Sequence, residues 1–410
     1  MGDRDDIADL SGGANQARVR AHNERVVLSL VRRHGTLSKA EIARRSGLSP
    51  QTVTVIMRAL EQDDLLLRGD PVRGKVGQPS IPMSLNPSGA FSVGVKIGRR
   101  SLDLVLMDFT GAVRQDLRHT YPYPRPAEVL SRISEGTAQM LATLTPGQRA
   151  RVAGLGVAMP FELWNWAETL RLPATAMDAW REVDVVAEVA ASTGLPVLLQ
   201  NDGTAACGAE FLFGRGRETD NYGYFFLGAF IGGGLVLDGR LITGPTGSAG
   251  ATGTLRVTGP GGQSTALLDC ASMWVLEEAV AASGGSVPDL RNTPEDWSAL
   301  GQVLEDWITE TAAYLAQAAL NVCSVIDFEV MILDGHMPAD VRRRLVAATR
   351  AAIDRQDTRG IRPFALWPGS LGYDAQVLGG ASLPILARYL IDTTVLFPEA
   401  RGVHANQVTS

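Results

Sequence analysis

Asn201 and Asp202 stand side by side in NDGTAACGAE (201–210), an amide next to a carboxylate. An amide donates and accepts while an ionised carboxylate only accepts, so the pair suits bidentate hydrogen bonding to two neighbouring hydroxyls. Without a ligand, the same residues would be a polar turn closing the strand Val197–Gln200. A further acceptor, Glu162, lies in MPFELWNW (159–166). There Trp164 and Trp166 offer flat apolar faces on which a ligand ring can stack, or simply anchor a core or interface. The stretch GSAGATGTLRVTGPGGQSTALLDC (247–270) is dense in glycine, as a backbone that approaches something closely must be. It holds no His, no Glu and only Cys270, so it carries little acid–base or metal chemistry of its own.

The N-terminal region points to a different chemistry. Between Ala14 and Pro79 twelve basic residues face six acidic ones, a surplus of six positive charges, in a chain whose net charge is −6. A basic module on an acidic body suits a polyanionic partner. Asn23 to Arg33 has the helical spacing Val27, Leu30, Val31. Ser38 and Glu41 form a capping box for a short helix that ends at Gly47. Ser49-Pro50 opens a third helix, with Val53, Ile56, Met57 and Leu60 on its core face and Gln51, Val55 and Arg58 opposite, flanked by Thr52 and Thr54. A strand at 65–67 leads into a hairpin-like wing from Arg68 to Gln78.

That order is a winged helix-turn-helix, whose second helix enters the major groove by its N-terminal end. The DNA-binding candidates are Ser49, Gln51, Thr52, Thr54, Arg58, Arg73 and Lys75. Gln51 suits a base edge, adenine most naturally, and Thr52 or Thr54 a thymine methyl or a phosphate. Arg58 suits phosphate; Arg73 and Lys75, on the wing, suit the minor groove or backbone. A solvated three-helix protein-contact domain is the alternative, but order, caps, wing and charge agree on DNA.

With 410 residues, 45% hydrophobic and 20% charged, the chain reads as a multidomain globular protein. It lacks an eighteen-residue apolar run, and MGDRDDIADL has no apolar signal core, so neither a membrane span nor export is expected. Three cysteines and five histidines are scattered, which fits a reducing cytoplasm and predicts no metal and no cofactor. From Phe91 the pattern turns to strands. Residues 91–114 and 222–244 each read as three strands joined by glycine turns, and helices and strands alternate between and after them. This repeat predicts an α/β body of two similar halves flanking a ligand cleft. The expected boundaries are 14–80 for the DNA-binding module and 88–398 for the body, with halves of about 88–205 and 206–398 and loose tails outside.

Over about residues 15 to 395 the chain resembles the ROK family (repressors, open reading frames and sugar kinases), which has the actin-like ATPase fold. The resemblance rests on the helix-turn-helix, the glycine hairpin at 94–98, NDGTAACGAE, GAFIGGGLVLDG (228–239) and GSAGATG (247–253). It implies an α/β chain in which an N-terminal winged helix-turn-helix precedes a duplicated actin-like ATPase (ROK) fold. Family members without the N-terminal module tend to be sugar kinases; those with it tend to be sugar-responsive repressors. Asn201 and Asp202 match the family's sugar-contacting and proton-accepting pair.

Several family positions are altered. Gly94 to Arg100 stands where Gly-x-Asp-x-Gly-Gly-Thr is usual: Lys96 replaces the magnesium-side Asp, and Arg99 and Arg100 are too bulky for close backbone approach, though the three cations could hold an anion. Gly228-Ala229-Phe230-Ile231-Gly232 replaces Gly-Thr-Gly-Ile-Gly, and Asp334-Gly335 a Gly-Gly. In the sugar-and-zinc segment Ala251, Thr254, Ala266 and Leu268 stand where Glu, His, Cys and Glu would be, and Cys270 matches no ligand position. The expectation is a catalytically inactive, sugar-responsive regulator, by kinship a repressor, working as a homodimer or dimer of dimers. Its partners are operator DNA and a sugar or sugar derivative contacted by Asn201, Asp202 and Glu162, with Asp202 a vestigial base. The rivals are a sugar kinase carrying a DNA-binding module, which Asp202 favours, and a ligand-free dimerising scaffold.

Overall fold

The computed structural model describes residues 6–71, 80–166, 172–173, 175–285 and 296–391, with side chains from residue 17 onward. The N-terminal module consists of α1 (Asp6–His34), β1 (Thr36–Ser38), α2 (Lys39–Ser46), α3 (Pro50–Gln62), β2 (Leu66–Arg68) and β3 (Pro82–Leu85). Helix α1 begins well ahead of the expected Asn23. Val27, Leu28 and Val31 of α1 are buried together with Ile42 of α2 and Val53, Ile56, Met57 and Leu60 of α3, a small core that no single helix could close. The strands pair antiparallel in the order β1-β3-β2. The second wing strand is therefore 82–85, beyond the expected hairpin, and the tip that carries Arg73 and Lys75 lies outside the described residues.

By contacts the chain forms two compact units, one holding the residues up to Asp202 together with Gln376–Ile391, the other Gly203–Ala375. The first contains β4 (Phe91–Ile97), β5 (Ser101–Asp108), β6 (Val113–Thr120), α4 (Pro126–Ala142), α5 (Pro146–Arg149), β7 (Val152–Met159), α6 (Val185–Thr193) and β8 (Val197–Asn201). Its sheet runs β6-β5-β4-β7-β8, an antiparallel meander followed by strands parallel to β4. Strands β4 and β7 are buried along their whole length, as central strands covered on both faces are.

The second unit contains α7 (Asp202–Phe213) from Gly203 onward, β9 (Tyr222–Leu227), β10 (Ile231–Leu237), β11 (Arg240–Ile242), β12 (Arg256–Thr258), β13 (Ser264–Ala266), α8 (Leu267–Cys270), α9 (Met273–Ala282), α10 (Gln302–Val325), β14 (Val330–Gly335), α11 (Ala339–Ile353) and β15 (Ala365–Pro368). Its sheet runs β11-β10-β9-β14-β15 with the same directions, so the duplication expected from the two glycine hairpins is present strand for strand.

The last helix, α12 (Ala375–Tyr389), belongs from Gln376 onward to the first unit, whereas the sequence expectation assigned everything to 398 to the second half. The reason is backbone proximity. A Cβ at Gly156 would run into the Gly380 carbonyl, one at Gly94 into that of Val377, and Ser92 Oγ donates to the Ala381 carbonyl at 2.7 Å. At the far end of α12 the Tyr389 ring meets that of Phe109, just after β5, edge to face at 5.2 Å, and beyond the helix Ile391 N–H donates to Ser29 Oγ of α1 in the N-terminal module at 2.9 Å. Beside them Arg32 Nη1 donates to the Phe109 carbonyl at 2.7 Å, and Arg151 Nη2 to Asp64 Oδ2 at 2.6 Å.

Candidate functional site

The helix-turn-helix is built by local rules. Ser38 Oγ accepts from Glu41 N–H and Glu41 reaches back to Ser38 N–H, while Gly47 ends α2 at φ 71°. Ser49 caps α3, its Oγ accepting from Thr52 N–H at 3.1 Å and sharing a 2.8 Å hydrogen bond with Thr52 Oγ1. Thr54 Oγ1 donates to the Pro50 carbonyl at 2.9 Å. The hydroxyls of Ser49, Thr52 and Thr54 are thus engaged in setting the helix start. Gln51, Val55 and Arg58, spaced four and three residues apart, share an exposed face, and Val55 keeps 59% of its surface open. One wing cation is spent locally, since Arg68 Nη2 donates to Glu61 Oε2 at 2.8 Å.

The ligand candidates sit where β8 ends. No polar turn follows Gln200. The strand runs through Asn201, whose N–H donates to Gln200 Oε1 at 2.7 Å, and α7 starts at once with Asp202. An acidic residue in a first turn is favoured by the helix dipole. Its carboxylate accepts from Gln376 Nε2 of α12 at 2.7 Å, a partner with no local sequence signal beyond its being a polar residue in an apolar run. Glu162 is placed differently. It is exposed, adopts φ 56°, and accepts from Asn165 Nδ2 at 2.8 Å, so it closes its own turn and does not hydrogen-bond to the Asn201–Asp202 pair. Trp164 packs against the first unit's core with the Arg181 guanidinium 5.1 Å from its ring centre.

At the first glycine hairpin Lys96 does not wait for an anion. Its Nζ lies 3.0 Å from Asp103 Oδ2 and 3.4 Å from Ser101 Oγ, and Arg118 Nε lies 3.2 Å from the other Asp103 oxygen. Burial pushes the Asp103 carboxyl up, but the charges of Lys96 and Arg118 and the hydrogen bonds from Lys96 and Ser101 outweigh it and hold the carboxyl below its usual range. The Lys96 side chain lies over its own turn, where a Cβ on Gly98 would come within 2.9 Å of Nζ. At the second hairpin the Gly228 carbonyl accepts from Met273 N–H at 3.1 Å and Ser272 Oγ accepts from Ile231 N–H at 2.9 Å, so the start of α9 seals that turn.

The glycine-rich stretch packs on its own unit. Gly250 has φ 78°, and a Cβ there would meet Gly234 Cα at 2.7 Å, so its close approach is to strand β10. In place of a cysteine loop the chain makes the β12–β13 hairpin. Gln317 of α10 accepts from Thr258 N–H at 2.9 Å and donates to its carbonyl at 3.1 Å, clamping that hairpin to the helix. Burial pushes the Cys270 thiol up to about 12, with the Asp269 charge adding to it. Among the described residues no group of three or more His, Cys, Asp or Glu could hold a metal ion.

Two acids the sequence did not assign a role are buried in the second unit. Glu210, the last residue of NDGTAACGAE, accepts from Ser370 N–H at 3.1 Å, Ser370 Oγ at 2.9 Å and Arg215 N–H at 2.9 Å, tying α7 to the loop after β15. Asp334 accepts from Arg342 Nη1 at 2.5 Å, Tyr224 Oη at 3.1 Å and Gly372 N–H at 3.1 Å. Burial raises both carboxyls; the Asp334 charge adds to the rise at Glu210, while Arg342 and the backbone donors offset only part of it at Asp334.

Residues 92–385 match the ROK family and residues 20–66 a winged helix-turn-helix DNA-binding family. The chain belongs to the ROK family. It is 21% identical to the xylose repressor of Bacillus subtilis over 91% of this chain and 97% of that protein. A ROK family transcriptional regulator homologous to the E. coli MLC protein superposes with a TM-score of 0.66, at 23% identity, over 90% of this chain and 97% of that one. A ROK family glucokinase from Streptomyces griseus, solved with glucose and AMPPNP, has a TM-score of 0.57 at 22% identity and covers 72% of this chain and 99% of its own. The fold is thus shared with regulators and kinases alike, and the N-terminal module accounts for the wider coverage of the former.

Proposed function

We propose that this ROK protein is a sugar-responsive transcriptional regulator that binds operator DNA and no longer transfers phosphate. The observation that carries the reading is α3: a helix capped by Ser49 that offers Gln51, Val55 and Arg58 to solvent, inside a segment that matches a DNA-binding family. Gln51 suits a base edge, Val55 a thymine methyl and Arg58 a phosphate. Two copies, as a dimer or dimer of dimers in the cytoplasm, set two such helices against two half-sites. Asn201 and Asp202 contact the sugar. Helix α12, joined to Asp202 through Gln376 and to α1 through Ser29, offers a route by which occupancy biases the DNA-binding module.

Against catalysis stand Lys96, neutralised by Asp103, and Asp334, a carboxylate that takes the Gly335 and Gly372 amide donors on the family's nucleotide side. Asp202 favours the kinase alternative. ATP turnover measured over a panel of sugars decides: Asp202-dependent phosphorylation replaces this reading with a kinase. For DNA, fluorescence anisotropy on a duplex selected from a random library should show affinity falling steeply with salt. Arg58→Ala should lower that log–log slope by about 1. Salt-independent binding, or no selected duplex, overturns the regulator.

A further inference from the structure

We propose that Gln376 belongs to the effector site as a positioning and contact residue. It holds the Asp202 carboxylate and offers its own carbonyl oxygen, so the site takes a neutral polyhydroxyl compound presenting two hydroxyl donors on neighbouring carbons. This rests on the reading of Asp202 as a ligand contact.

Gln376 lies in the first turn of α12 and is 4% exposed. Its Nε2 donates to Asp202 Oδ2 at 2.7 Å, while its Oε1 is buried with no hydrogen-bond partner among the described residues. A buried acceptor left unmade is a standing penalty, and an apolar residue among the Ala, Val and Leu of this helix would remove it. Retaining the amide makes physical sense if a donor arrives from outside the chain. Oε1 and Nε2 share one carbon, so the orphan oxygen sits beside the carboxylate that Nε2 holds. A ligand hydroxyl donating to Asp202 therefore has its neighbour placed to donate to Gln376. The backbone cannot drift from this arrangement, because the next turns of α12 press on Gly94 and Gly156 with no room for a Cβ. Both groups aimed at the ligand accept, and one is charged, so hydroxyls are welcomed and a phosphate or carboxylate on that edge is repelled.

The test is isothermal titration calorimetry on the full chain with a panel of neutral pentoses, hexoses and N-acetylhexosamines. The tightest binder is then followed by its monodeoxy analogues. Gln376→Met should weaken binding about tenfold or more. The affinity penalty for deleting one particular hydroxyl, present in the wild type, should vanish in the variant. Gln376→Asn, one methylene shorter, should lose the same penalty and serves if Gln376→Met fails to fold, which melting without ligand reports. A purely structural role would weaken all analogues in proportion and keep the penalty; that result, or wild-type affinity in Gln376→Met, overturns the assignment alone. If the wild type binds no member of the panel, sugar sensing itself falls and the assignment with it. If Asp202→Ala abolishes binding while Gln376→Met does not disturb it, only the assignment falls.

Discussion

The two glycine hairpins occupy the same position in two sheets of the same strand order, yet their turns are filled by opposite means. Beneath the first lies a polar knot in which buried Lys96 and Ser101 meet a partly buried Asp103, itself paired to Arg118 nearer the surface. The second is closed by backbone and hydroxyl hydrogen bonds from the start of α9, with Phe230 in the turn. Divergence after duplication kept the ladder, which depends on backbone pairing, and changed the turns, where side-chain chemistry decides. At each hairpin the protein's own groups pair beside the turn: Asp103 with Lys96 at the first, Ser272 and Met273 with the backbone at the second.

The largest expected effect probes what the halves share, their dependence on backbone contact. Gly156→Ala in the first unit and Gly250→Ala in the second should each lower stability by about 3 kcal/mol or more in urea titrations, because backbone must move in either case. A loss below 1 kcal/mol at both would mean that the packing relaxes and the comparison has no structural basis. Next comes the contrast between the turns. Lys96→Met leaves a largely buried Asp103 with the more exposed Arg118 and should cost about 3 kcal/mol, whereas Phe230→Ala, at a half-buried site, should cost about 1 kcal/mol. The reverse order of damage would refute the polar-versus-packed distinction.

The smallest effect is a difference in sign with pH. Asp103 has a lowered carboxyl, so its contribution is present above the ordinary carboxylate range near ~4 and is lost as pH falls through its lowered value. Glu210 and Asp334 are raised, so theirs is full below the ordinary range and lost as pH rises through their raised values. Hydrogen exchange read separately over β5 and β14 between pH 7 and 3 should show the first sheet losing protection relative to the second. Lys96→Met should flatten the first response, and Asp334→Asn the second.

Elements set by neighbours in sequence were legible. The capping box at Ser38 and Glu41, the Ser49-Pro50 start and the three-strand runs from Phe91 and Tyr222 all follow from local donors, φ restraint and apolar runs broken at glycine turns. Helix α7 was not legible as a helix, since Gly203 to Glu210 is buried on every side and shows no amphipathic stripe. The second wing strand was hidden by Pro82, and the placement of α12 by its cause, a contact between glycines more than two hundred residues apart. Within the site, Asp202 was visible as a carboxylate beside an amide. Gln376 was not, because nothing near it in sequence says which acid it will meet. Glu162 was read as a ligand acceptor, but its hydrogen bond goes to Asn165.

The position of α12 bears on the order of synthesis. Strands β4 and β7 leave the ribosome long before the helix that covers them, and α1 is made earlier still, yet its tie at Ser29 waits for Ile391. A nascent chain can form the three-helix module early, but the support of that module is completed only by nearly the last described residues. A product cut short before residue 375 therefore carries the DNA-reading helix without Gln376, without the brace on α1, and with the glycine strip of β4 and β7 uncovered. Synthesis as far as Ile391 is thus a condition for bracing α1 of the DNA-reading module.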